Sequence, residues 1–177
     1  MRRLFIVESN AFPLLLLFAI FIMAAVLFPM TENVLAAGGT AKGTIKYKDR
    51  TVDLKYAYMI KAPDTFEEDK TVTTVIITPN DISPKIAGCQ NASCASGITE
   101  GMTVGKEDFG STTRVVYWVV TKDGMMQYSG NQDVTALKLT TDTADRMAGK
   151  LAVDDSAADG PNIDVEFDAP LTKEFKE

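Results

Sequence analysis

Cys89 and Cys94 are the only two cysteines in the chain, and they lie in the segment GCQNASC. Oxidation is the default for such a pair outside the cytoplasm, so the spacing favours a disulfide that stiffens one loop. A redox-active pair is a weaker alternative, because reactive thiols usually lie closer together at the start of a helix. A zinc site would need further cysteine or histidine ligands, which the chain lacks. Free thiols are the remaining alternative.

Asn91 belongs to the same segment and begins an Asn-Ala-Ser sequence, which fits the acceptor pattern for N-glycosylation. Patterns this short also arise by chance, and modification requires a host with the appropriate enzymes. Asn91 is therefore a candidate glycosylation site, with an unmodified loop residue as the main alternative.

An acidic segment near the C-terminus, DDSAADGPNIDVE, resembles a calcium-binding loop. If Asp155 is the first position, Asp159 is the fifth and Glu166 is the twelfth, and carboxylates at these offsets can surround a calcium ion. Ala157 occupies the third position, where a ligand belongs, and Pro161 follows the glycine. An acidic hairpin turn is the main expectation, with weak calcium binding as the alternative.

The chain contains no histidine, which removes Ser-His and Cys-His nucleophile pairs and the usual general base near neutral pH. We identify no catalytic residues and no cofactor site, and we expect a protein that is not an enzyme. The formal net charge is −6 and no basic run is present. This charge argues against nucleic acid and against anionic membrane surfaces as partners.

Residues 1–37 have the composition of a targeting segment. Two early arginines precede an apolar run from Ala11 to Phe28, and small residues at Ala36 and Ala37 mark a cleavage region. We predict a cleaved secretory signal peptide. An uncleaved membrane anchor is the alternative, because the run is long enough to span a bilayer. The arginine pair also permits twin-arginine export, although so apolar a run suits unfolded export better.

Apolar and polar residues alternate with a period of two through most of the remaining chain, which is typical of half-buried β-strands. The pattern predicts an all-β fold, an antiparallel sandwich or small barrel of about eight strands, in a single domain over residues 38–171. A polar tail over 172–177 is expected to fray. The predicted strands cover 43–48, 51–61, 71–78, 113–121, 125–129, 134–140, 146–153 and 162–168.

Finer expectations concern one strand and one loop. Alternation over 51–61 predicts that Val52, Leu54, Tyr56, Tyr58 and Ile60 share one face. One helical turn is predicted at SPKIAG, within a long loop from about 80 to 101. This stapled loop is the expected contact surface, and a variant lacking both cysteines should keep near-normal stability while losing partner binding.

The segment from Gly43 to Asp81 resembles the first half of small secreted bacterial all-β proteins of unassigned function. The resemblance rests on a glycine-led strand, an L-K-x-A-Y strand, a P-D-x-F turn and a Thr/Val-rich strand, together with FDAPL near the C-terminus. It covers about a third of the chain. The resemblance implies an exported all-β domain, and it carries no catalytic or binding residues.

These observations predict an exported binding or recognition domain that acts in the periplasm, elsewhere in the cell envelope or outside the cell. Its partner would be an unidentified protein or small molecule. A structural or assembly component, held at the membrane by a retained N-terminal helix, is the first alternative. A histidine-free hydrolase is the second, and it would need a pocket in which carboxylates or a Ser-Lys pair converge.

Overall fold

The computed structural model describes residues 38–64, 67, 69–106 and 112–176. The predicted signal segment, with Ala36 and Ala37, lies outside these residues. Within the described residues, nine strands form a single sheet: β1 (Gly39–Tyr47), β2 (Arg50–Pro63), β3 (Thr71–Thr78), β4 (Gly101–Lys106), β5 (Thr112–Thr121), β6 (Gly124–Asp133), β7 (Leu137–Asp142), β8 (Arg146–Asp154) and β9 (Asn162–Glu174).

The strands lie in the order β6-β5-β4-β3-β2-β1-β9-β8-β7. Neighbouring strands are antiparallel, and β2 also runs parallel to β9 for a short stretch beyond the start of β1. The all-β prediction is therefore confirmed at the level of class. The architecture is one curled sheet, a half-barrel. The structure has one strand more than the eight predicted. This additional strand is β4, which the sequence pattern missed because it is short and contains Gly101 and Gly105.

The concave face of the curled sheet carries the main hydrophobic core. Because the sheet bends around this face, side chains from strands that are distant in the order pack against one another. The central members include Ile45, Met59, Ile77, Tyr117, Leu151 and Val165, each at most 2% exposed. Burial of such side chains supplies most of the free energy that favours folding.

A second, smaller core lies on the convex face, and a change of phase in β2 creates it. Val52 and Leu54 point into the concave core, but Ala57 and Met59 follow on that face after an interval of three residues. The pairing with β1 shifts register at this point, between Thr40 and Gly43. Such a shift moves every later side chain to the opposite face.

The prediction that five alternating β2 residues share one face is therefore wrong beyond Leu54. Tyr58 and Ile60 are buried on the convex face together with Ile76 of β3. Tyr56 packs at the border of this second core.

Two short helices cover the second core, α1 (Ser83–Gly88) and α2 (Ala92–Ser96). The helical turn predicted at SPKIAG is α1, with its proline in the first turn, where a missing N–H costs nothing. Ile86 from α1 and Ala95 from α2 are fully buried against the sheet, and Ile98 follows them.

Residues 172–175 belong to the folded domain, in contrast to the predicted frayed tail over 172–177. β9 continues to Glu174, and Phe175 is 6% exposed in the second core. The backbone N–H of Phe175 donates to the carbonyl of Lys61 at 2.8 Å. The apolar ring explains the difference, because it has a buried site to occupy at the end of an otherwise polar tail.

Candidate functional site

The cysteine pair forms the predicted disulfide, Cys89–Cys94, with the two Cα atoms 5.5 Å apart. Cys89 is 3% exposed and belongs to the second core. The bond joins the end of α1 to the middle of α2. The segment packs on the convex face of the sheet and covers a hydrophobic cluster. Its expected role as a contact surface stays a prediction.

Lys173 of β9 fastens this cover to the sheet. Its ammonium group donates to the carbonyl oxygens of Ala87 at 2.9 Å, Cys89 at 2.5 Å and Ile86 at 3.4 Å. These carbonyls lie at the end of α1, where backbone acceptors lack helical partners and favour a positive charge. The ammonium group also lies 5.1 Å from the centre of the Phe175 ring.

The start of the covered segment is held by Tyr58 and Asp81. The Tyr58 hydroxyl donates to the Asp81 carboxylate at 2.7 Å and accepts from the backbone N–H of Ile82 at 3.0 Å. Burial, together with this carboxylate, raises the pKa of Tyr58 well above its ordinary value. The backbone N–H of Ser83 and then the Tyr58 hydroxyl lower the pKa of Asp81. This pair is arranged for holding a loop and not for proton transfer.

Asn91, the candidate glycosylation site, is exposed and caps α2. Its side-chain oxygen accepts from the backbone N–H of Cys94 at 2.9 Å, which satisfies one free donor at the helix start. The structure thus gives Asn91 a local structural role, and its glycosylation stays a prediction.

The three carboxylates of the proposed calcium loop are not brought together. Asp155 accepts from Gln132 at 3.1 Å, and Asp159 lies in a left-handed turn with φ of 57°. Glu166 lies in β9 four residues beyond the pair formed by Asp154 and Asn162, or about 13 Å along the strand. Within the described ranges, no three acidic or cysteine side chains are grouped to hold a metal ion.

The concave interior beside Tyr117 and Tyr128 is packed closely enough to exclude water. Between β5, β6 and the β8–β9 turn, the gap beside Tyr117 and Tyr128 encloses no volume that a water molecule could occupy. The two rings stack with their centres 5.3 Å apart. Burial raises the pKa of Tyr117 above its ordinary value, as expected for a core tyrosine. This part of the interior is filled by side chains.

An open cleft of about 280 Å³ lies between the β1–β2 turn and the β5–β6 turn. Asp49, Arg50, Val120, Thr121 and Lys122 line it, and Arg50 forms a 3.0 Å ion pair with Glu100. The lining groups carry both signs of charge and come from two turns. Nothing in this arrangement selects one ligand.

The largest apolar side chains that the described residues expose are all on the β5–β6 hairpin. Val120 is 44% exposed, Met125 56%, Met126 42% and Tyr128 44%. Val120 pairs with Met125 on the convex side, whereas Met126 and Tyr128 lie opposite buried Val119 and Tyr117 on the concave side. We call these four residues the hairpin patch.

Clustered exposed apolar side chains mark interaction sites more often than scattered ones do. Met125 and Met126 first invite attention as sulfur ligands for copper, but adjacent strand residues face opposite sides, and the pairing with β5 confirms this geometry. Periodicity did not identify the patch, because an exposed edge strand carries the same residue types as a buried one. The sequence feature that could have indicated the patch was a run of nine uncharged residues, 124–132.

Comparisons of the chain with protein-family models, with curated proteins and with solved structures yield no significant match. In the part of the chain that the structure describes, no helix has the length and apolar character needed to cross a membrane. The hairpin patch is therefore the candidate site on geometric grounds alone.

Proposed function

We propose that this chain is an exported, non-enzymatic binding domain of the cell envelope or the extracellular space, and that the hairpin patch is its contact surface for a protein partner. The observation that carries the proposal is the exposure of four large apolar side chains on one hairpin, whereas the other large apolar side chains among the described residues are buried or half-buried. The disulfide supports an oxidising compartment outside the cytoplasm.

A protein partner fits the patch better than a small molecule does. Small-molecule sites are usually concave and partly enclosed, whereas the patch occupies both faces of a projecting edge hairpin. Aromatic and methionine side chains are also enriched at the centres of protein interfaces.

Site-specific photo-crosslinking tests the proposal in cells that produce the full chain. A photoreactive residue at Met125 should give a discrete adduct with a protein under non-denaturing conditions. The matched control is the same photoreactive residue at Ala152. This position is exposed on β8, a strand that is paired on both edges, and it should give no adduct. Equal labelling at both positions, or none at either, would contradict the hairpin patch as contact surface.

A membrane-tethered assembly component is the second candidate function. The observation that favours it is the same hairpin, because β6 is an edge strand available for pairing between chains. The state of residues 1–37 in the mature protein distinguishes the two candidates.

A further inference from the structure

The two edges of the sheet differ in how well they are protected against pairing with another strand. β7 has six residues, carries Lys138 and shifts register against β8 between Leu139 and Thr141. Short length, an edge lysine and a bulge are the devices by which natural sheets block further pairing. The β7 edge therefore discourages the addition of a strand.

β6 has none of these devices. It is ten residues long, it contains no proline, and its register with β5 is continuous from Thr112 paired with Asp133 to Thr121 paired with Gly124. Its single charged residue is Asp133, at the very end. Within the described residues β6 pairs with β5 alone, so its other edge presents a row of backbone donors and acceptors that no other strand uses.

The register identifies the residues whose backbone groups lie on that open edge. Thr121 and Gly124 close a two-residue hairpin loop, so they form a hydrogen-bonded pair, and bonded and non-bonded pairs alternate from there. The non-bonded positions direct their N–H and C=O groups away from β5. They are Met125, Gln127, Ser129, Asn131 and Asp133.

We propose that the β6 edge pairs with the β6 edge of a second copy of this chain, antiparallel and centred on Ser129, to give one sheet that continues through both domains. This inference rests on the proposed function, since it names the partner of the hairpin patch. The lack of charge over residues 124–132 favours a second copy as the occupant, because these residues offer no ion pair to a charged partner strand. In this register Asp133 lies opposite Met125 of the other chain, so no like charges meet across the ladder.

Side-chain sizes agree with this register. Tyr128 falls opposite Gly130 of the other chain, and in each copy the Tyr128 ring already lies over its own Gly130. No two bulky side chains are therefore directly opposite each other at these positions. Met126 and Tyr128 from both chains would then cover the new pairing on one side, and Met125 on the other. These three residues are 42–56% exposed in a single domain, and pairing of two copies would bury much of their apolar surface.

Cysteine cross-linking in the full chain tests the register. In this register Ser129→Cys places the new cysteines of the two chains directly opposite each other. Their Cα atoms would be about 5.5 Å apart, a separation that suits a disulfide. Asn131→Cys is the matched control on the same strand and face. The two introduced cysteines, one in each chain, would lie about 14 Å apart along the ladder. Non-reducing electrophoresis should show a covalent dimer for Ser129→Cys only. Equal cross-linking of both variants, or none for Ser129→Cys, would overturn the inference.

Sedimentation velocity of the purified full chain gives the second measurement. The wild-type protein should be a dimer at high micromolar concentration. Ser129→Lys places two like charges opposite each other at the symmetry centre and should weaken dimerisation about fivefold. Ala152→Lys on β8 is the control and should leave the mass unchanged. A monomeric wild-type protein would overturn the inference.

The two proposals fail in different ways. If Ser129→Cys gives no dimer but the photoreactive residue at Met125 labels a different protein, strand pairing between copies is overturned and the proposed function stands. If Met125 labels nothing and the wild-type chain is monomeric, both are overturned.

Discussion

At the scale of single residues, Lys173 joins the C-terminal strand to the helical cover of the second core. Its ammonium group binds three carbonyls that lie 84 to 87 positions earlier in the chain. In the sequence it is an ordinary lysine in a polar C-terminal segment. Its role depends on β9 running alongside β2, which no local pattern reports.

Replacing Lys173 by methionine keeps the length of the side chain and removes its charge. We expect the free energy of unfolding to fall by about 2 kcal/mol, because hydrogen bonds to charged groups stabilise more than neutral ones. Urea denaturation of the variant measures this. Lys46→Met, at an exposed position of β1, is the matched control and should change stability little. Equal effects of the two substitutions would contradict the capping role of Lys173.

Asp81 makes the stability of the same region depend on pH. Its pKa is lowered from an ordinary value of 3.8 by hydrogen bonds to Ser83 and Tyr58. A carboxylate with a lower pKa in the folded state adds stability above its unfolded-state pKa, and this stability is lost as the pH falls through the folded value.

The wild-type protein should therefore lose stability below about pH 4, and Asp81→Asn should lose less over that interval. Urea denaturation at successive pH values from about 6 to about 3 makes the comparison. Asp53→Asn, at an exposed position of β2, should follow the wild-type slope. An Asp81→Asn variant with the full wild-type slope would contradict the argument.

At the scale of elements, the cysteine segment is a cover for the second core. The disulfide closes a six-residue loop, and in the chain-entropy model such a loop contributes about 2 kcal/mol. The burial of Cys89 adds contacts that the sequence pattern did not reveal.

We expect the double variant Cys89→Ala, Cys94→Ala to lose about 2 kcal/mol of stability while the sheet stays folded. Hydrogen exchange should quicken in α1 and α2 and stay slow in β2 and β9, since local openings follow the contacts that remain. Loss of protection throughout the sheet would show that the cover is required for the whole fold. The sequence predicted that this variant would also lose partner binding. Because the proposed contact surface, the hairpin patch, lies on a different element, partner binding by this variant does not test the proposed function.

The curled sheet shows how far strand patterns reach. Strand patterning located eight of the nine strands, most of them because apolar and polar residues alternate along the chain. It assigned the wrong face to Tyr58 and Ile60, because the register shift opposite Thr40 and Gly43 depends on pairing between strands. It also placed the start of β7 at Val134, where the structure has a short 3₁₀ turn over Val134–Ala136.

At the scale of the whole molecule, the proposed export would account for both the hydrophobic N-terminal segment and the disulfide. The intact mass of the protein isolated from cells without reductant tests it. We expect a species that lacks residues up to about Ala37 and is lighter by two hydrogen atoms, because the thiols are oxidised. A full-length mass would favour the membrane-tethered alternative. A reduced, full-length, cytoplasmic protein would contradict export.

The sequence by itself determined the composition-level properties: an acidic chain without histidine, a cysteine pair close enough to bond, and a period-two pattern that can bury one face only as a β-sheet. These depend on residue types and short spacings. The tertiary structure alone decided the strand order, the second core beneath α1 and α2, and the contrast between the open β6 edge and the protected β7 edge. Each of these depends on which strands become neighbours, and that pairing joins residues far apart in the chain.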